Sequence, residues 1–86
     1  MLVELFTSAF CGPCRGARAV LTEVERLVPA AQLEEVDVAG DVERARAAGV
    51  TGTPTVVVRT DDGAEVFRSR GVPTLAQALA AVARAA

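Results

Sequence analysis

Two cysteines, Cys11 and Cys14, stand three positions apart in the segment Cys11-Gly12-Pro13-Cys14. Thiols at that spacing can bond to each other when the segment opens a helix, and a bond that opens and closes can exchange electrons with another disulfide. Only the thiolate attacks a disulfide, and a helix N-terminus favours it because the first amides lack partners and the dipole is positive there. Cys11 is therefore the expected nucleophile, and Cys14, partly shielded behind it, the expected resolving thiol. In the cycle this implies, Cys11 forms a mixed disulfide with a substrate, and Cys14 then attacks Cys11 to release it and leave an intramolecular disulfide. Pro13 presets a helical backbone angle in the first turn without removing an intrahelical hydrogen bond, which stiffens the motif.

Few other side chains could do this chemistry. Every basic residue among the nine is arginine, and the chain has no histidine. Without imidazole or amine, acid/base work near neutral pH falls to thiols, perturbed carboxyls or water. The cysteine pair itself admits other readings: a structural disulfide, two buried thiols, or a metal site. A structural zinc normally takes four protein ligands, so metal binding would need carboxylate help or a site shared across a dimer, and a bridged iron-sulfur cluster meets the same arithmetic. A non-enzymatic docking module is a further alternative.

The elements around the motif must position it. Leu2 to Thr7 is an apolar run broken only by Glu4 and reads as a strand covered on both faces. From Pro13 to Val28, Ala17, Val20, Leu21, Val24, Leu27 and Val28 recur at helical spacing, and Pro29 ends the helix. Gln32 to Val38 reads as an edge strand with Val36 and Val38 on one face and Glu35 and Asp37 on the other. Asp41 caps a short helix through Ala48, and Gly49 suits its left-handed close. Thr55 to Thr60 is β-branched, and Asp62-Gly63 reads as a two-residue hairpin turn into a strand from Glu65 to Ser69. Thr74 caps a last helix bearing Leu75, Ala78, Leu79 and Val82 on one stripe. The order strand-helix-strand-helix-strand-strand-helix predicts an α/β fold, a mixed four-stranded sheet with helices on both faces.

At 86 residues the chain has room for one domain, spanning 1–86, whose apolar share of 51% suffices for a single core. A net charge of −2 and the lack of any basic run argue against nucleic acid or an anionic membrane as partner. No membrane-length apolar run and no secretory signal are visible, which favours the cytoplasm.

The opening strand, the Cys-Gly-Pro-Cys helix start, Thr53-Pro54 ahead of a hairpin, and Gly71 before the last helix together resemble thioredoxin across essentially the whole chain. The resemblance implies a thioredoxin-like fold and reduction of protein disulfides by Cys11 and Cys14, with no bound cofactor beyond their redox-active disulfide. A disulfide reductase such as thioredoxin reductase is the expected electron donor, and a monomer is expected. By similarity Pro54 is cis and lies against the sulfurs, Thr53 offers its backbone to an extended peptide, and Phe10, Gly12, Pro13, Gly52, Thr53, Gly71 and Val72 form the substrate rim. The chain departs from the family at three places. Phe10 replaces the usual tryptophan, Leu5 stands where a buried aspartate is usual, and Glu35 matches that aspartate's partner lysine. Glu35 could take the proton of Cys14, but reads first as a solvated carboxylate. Size and element order are also those of a glutaredoxin, whose Cys-Pro-Tyr-Cys and Gly-Gly-x-x-Asp patterns the chain lacks; weak glutathione recognition is expected.

Overall fold

A computed structural model describes all residues, 1–86. Strand β1 (Leu2–Thr7) is followed by α1 (Gly12–Leu27), β2 (Gln32–Asp37), α2 (Val42–Ala47), β3 (Thr55–Arg59), β4 (Glu65–Arg70) and α3 (Leu75–Ala85). These form one sheet in the order β2-β1-β3-β4. β1 pairs parallel with β2, from Leu2 opposite Gln32 to Thr7 opposite Asp37. β3 runs antiparallel to both β1 and β4. The mixed sheet expected from the element order is thus present, with β2 at an edge.

Alternation along the central strands divides the interior in two. Val3, Leu5, Val56 and Val58 pack with Ala17, Leu21 and Val24 of α1 and Ala78, Ala81 and Val82 of α3. Phe6, Val36 and Val57 point the other way, onto Ala45 and Ala48 at α2. Because α2 has only six residues, apolar groups cover that face incompletely. Glu4, on the same side of β1 as Phe6, is 5% exposed and accepts from Arg44 Nε and Nη2 at 3.1 and 2.9 Å and from Arg59 Nε at 2.7 Å. A buried carboxylate is tolerable only with such partners, and the arginine stems cover apolar surface around it. The residue that interrupts the first apolar run is therefore the centre of an ion cluster.

Local signals account for most element ends. Asp41 accepts from the Arg44 amide, and Gly49 adopts φ +69°. Thr74 and Gln77 form a reciprocal capping box on α3. β2 stops at Asp37, one residue short of the expected end, although the Val38 amide still donates to the Thr7 carbonyl at 2.9 Å. The hairpin differs from the two-residue turn read from Asp62-Gly63. Thr60 donates to the Ala64 carbonyl and Gly63 to the Thr60 carbonyl, both at 2.9 Å, so Asp61, Asp62 and Gly63 form the loop. Gly63 takes φ +93°, and the register slips between Val58–Phe67 and Arg59–Glu65. A type I turn closed by a positive-φ glycine and followed by a bulge has this form, because the added residue restores the strand twist. Phe6 is fully buried; Phe67 is half-buried, with the Arg84 guanidinium 6.0 Å from its ring centroid.

Candidate functional site

β1 is central and α1 begins five residues after it, so the motif lies at the C-terminal end of β1. Cys11 is the N-cap residue of α1 with extended backbone angles (φ −94°, ψ 99°), and Gly12 and Pro13 make the first turn. No side chain caps this helix and no acidic residue lies in its first turn. Nothing in that turn therefore opposes the helix dipole, which favours negative charge on Cys11 Sγ. Cys14 falls one turn on, beneath Cys11. The two are joined in a disulfide with Cα atoms 5.4 Å apart. Their exposures are unequal: Cys11 is half-buried, Cys14 is 2% exposed.

Two grooves meet at this point. One is lined by Ser8, Phe10, Cys11, Gly12, Cys14 and two arginines, Arg15 and Arg18. The other runs past Thr51, Gly52, Thr53, Pro54, Arg70 and Gly71. They are tied together by a 2.6 Å hydrogen bond between the hydroxyls of Ser8 and Thr53. The Thr53–Pro54 peptide is cis, and Pro54 is buried. The Thr55 hydroxyl donates to the Gly52 carbonyl at 2.7 Å, fixing the loop from below. Gly71 has φ +141°, which bends the chain out of β4 towards α3.

Most of the residues named from the sequence come together here. Phe10 and Gly12 share the groove of the cysteines, while Gly52, Thr53, Pro54 and Gly71 share the second. Pro13 and Val72 line neither groove. Pro13 is exposed on the first helical turn, and Val72 stands at the surface beside Gly16 of α1. Phe10, expected on the rim, is fully exposed and holds φ +61°, unusual for a residue with a bulky side chain. Ser8, Thr51 and Arg70 were not singled out by sequence. Their only prior mark is adjacency to the two motifs, and their convergence depends on β1 and β3 being neighbours.

Glu35 is engaged elsewhere. Its carboxylate accepts from Arg18 Nε at 2.6 Å and Nη2 at 2.7 Å and from the Thr7 hydroxyl at 3.2 Å. The Arg18 hydrogen bonds hold its pKa below the ordinary glutamate value, with smaller contributions from the Arg18 charge and the Thr7 hydroxyl working against partial burial. A carboxylate held in its ionised form is a weak proton acceptor. No three side chains of the metal-binding types converge anywhere in the fold. No helix is long and apolar enough to cross a membrane.

A partly buried cysteine at a helix start, bonded to a fully buried one and lining a groove beside a second loop, is built for thiol-disulfide exchange. The comparisons agree. The thioredoxin family model matches residues 1–84. A thioredoxin of Methanocaldococcus jannaschii is 35% identical over 60 residues, covering 69% of this chain and 71% of the relative. The NADPH-dependent thioredoxin reductase 3 of Arabidopsis thaliana is 39% identical over 57 residues, 65% of this chain, and the match spans 11% of that protein's length. Mitochondrial thioredoxin 3 from Saccharomyces cerevisiae, in its oxidised form, superimposes with a TM-score of 0.82 at 27% identity over 95% of this chain and 76% of the other. The chain belongs to the thioredoxin family, and its Cys11–Cys14 pair makes it a thiol-disulfide oxidoreductase. The glutaredoxin-like, metal-binding and docking alternatives are not favoured by these matches.

Proposed function

We propose that residues 1–86 act as one unit and, as a monomer, reduce disulfides in proteins by dithiol exchange. The observation that carries this reading is the unequal exposure of the bonded cysteines at the N-terminus of α1. In the reduced protein the Cys11 thiolate attacks one sulfur of a substrate disulfide. A Cys11–substrate bond forms and the other substrate sulfur leaves as a thiolate. Cys14 then loses its proton to water and attacks Cys11 Sγ, breaking the mixed disulfide and releasing the second substrate thiolate. Two electrons pass to the substrate, and the Cys11–Cys14 disulfide is regenerated. The electrons are carried by the Cys11 and Cys14 dithiol alone, with no bound cofactor.

Substrate lies as an extended segment along Thr53, in the manner of strand addition. Pro54 faces the sulfurs, and Phe10, Gly12, Pro13, Gly52, Gly71 and Val72 form the rim. A disulfide reductase of the thioredoxin reductase kind returns the disulfide to the dithiol; similarity to the Arabidopsis thaliana NADPH-dependent thioredoxin reductase 3 supports that choice. A reducing compartment, the cytoplasm, suits a dithiol that must be kept reduced.

The test is dithiothreitol-driven reduction of a protein disulfide by the wild-type chain, Cys11→Ser and Cys14→Ser. Turnover is expected only in the wild type, with a mixed disulfide accumulating in Cys14→Ser. Turnover by Cys11→Ser would refute the assignment.

A further inference from the structure

The nine arginines are not deployed evenly. Arg18, Arg26, Arg44, Arg46, Arg59 and Arg68 each pair with a carboxylate of this chain. Arg84 donates to the Val66 carbonyl and stands over Phe67. Arg15 and Arg70 alone make no ion pair or side-chain hydrogen bond, and both are exposed. They are also the residues that place free positive charge in the two grooves, Arg15 beside Cys11 and Cys14, Arg70 beside Thr53 and Pro54.

The chain as a whole is acidic, with 11 carboxylate side chains against nine cations. Yet no Asp or Glu lines either groove, nor the adjoining hollow between Val38, Val50 and Thr53. Glu35 is the carboxylate bonded to a groove residue, and it is engaged by Nε and Nη2 of Arg18. The two unpaired guanidiniums therefore stand in grooves that no carboxylate of this chain lines.

From this we infer the substrate class of the site: a protein disulfide flanked by carboxylates on both sides, one side chain meeting Arg15 and the other Arg70. The inference rests on the exchange reaction proposed above and narrows it. Charges at a rim act mainly on encounter and orientation, so the preference resides in kcat/KM and weakens with salt. Exposed pairs of this kind change a rate constant by about two- to fivefold each.

The assay compares three disulfide peptides, identical except that the residues flanking the cystine are Glu, Gln or Arg. Each is reduced by the full chain with dithiothreitol as electron source. The wild type is expected to favour the Glu over the Gln peptide by about tenfold near 0.01 M salt and to lose the preference near 1 M. Because the readout is a ratio within one variant, any change in Cys11 reactivity cancels. The ratio should fall about two- to fivefold in Arg15→Gln and again in Arg70→Gln. It should stay unchanged in Arg46→Gln, which loses an exposed cation outside the grooves, and reverse towards the Arg peptide in the double variant Arg15→Glu/Arg70→Glu. Equal rates for the Glu and Gln peptides, or a Glu preference surviving in Arg15→Gln/Arg70→Gln, would overturn the inference while leaving the exchange reaction standing. No Cys11-dependent turnover of any peptide would overturn both.

Discussion

Replacing Glu4 by leucine removes the centre of the ion cluster on the α2 face while conserving most of the buried volume. The charge-assisted bonds lost are those from Arg44 Nε and Nη2 and from Arg59 Nε, at 3.1, 2.9 and 2.7 Å. Taken singly, bonds to charged groups are worth roughly 1.5 to 3 kcal/mol each, which would sum to far more than a small domain can lose. Three features reduce the figure. Arg44 retains Glu34 at 3.3 Å, Arg59 retains the Gly63 carbonyl at 3.2 Å, and their side chains are 32% and 25% exposed, so water takes up part of the lost bonding. Leucine also regains apolar burial against Val57, which β1 brings opposite Glu4. The net expectation is a loss of about 2 to 3 kcal/mol, between the cost of an exposed pair and that of a fully buried charge left alone. For a chain of this size that lowers Tm by roughly 10 to 20 °C. Thermal and urea unfolding of Glu4→Leu measure it, with Glu34→Leu as the exposed comparison, expected to lose under about 1 kcal/mol. Adding Arg44→Leu and Arg59→Leu to Glu4→Leu should recover stability, since the orphaned cations are then gone. A Tm change of less than about 4 °C in Glu4→Leu, or a further fall in the triple variant, would refute the reasoning that the arginines are stranded by loss of the carboxylate.

Two other outcomes follow from the same geometry. Glu35 has a folded pKa below its ordinary value of 4.5, chiefly through Arg18. Its contribution to stability is therefore present above the unfolded value and lost as pH falls through the lower folded one; acid unfolding curves below about pH 4.5 should be less steep for Glu35→Gln than for the wild type, and an identical acid limb would count against the pair. Thr74→Ala removes the oxygen that accepts the Gln77 amide at 3.0 Å and with it the capping box of α3, so urea titration should show a loss of about 1 kcal/mol without a change in m.

Much of this protein is written in local pattern. Cys11-Gly12-Pro13-Cys14 between an apolar run and an amphipathic stretch identifies the junction, because thiol chemistry and helix starts both depend on a few adjacent residues. The periodicities of Leu2–Thr7, Ala17–Val28 and Leu75–Val82 yield the elements, and Asp41, Gly49 and Thr74 mark their ends, since caps act within one turn. Asp62-Gly63 identified a hairpin but not its length; Asp-Gly fits both a two-residue turn and the second half of a three-residue loop, and cross-strand register selects between them.

Tertiary structure alone decided the pairings between distant segments. Glu4 looks like an interruption in an apolar strand until β3 and α2 bring Arg59 and Arg44 to it across 55 and 40 residues. Glu35 is free to be a proton acceptor in the sequence and is committed to Arg18 in the fold. Phe10 is a bulky apolar residue of a type more often buried, and in the fold it stands fully exposed at a positive φ. The unpaired state of Arg15 and Arg70 is likewise invisible in a list of nine arginines, because whether a cation is free depends on which carboxylates the sheet order places beside it.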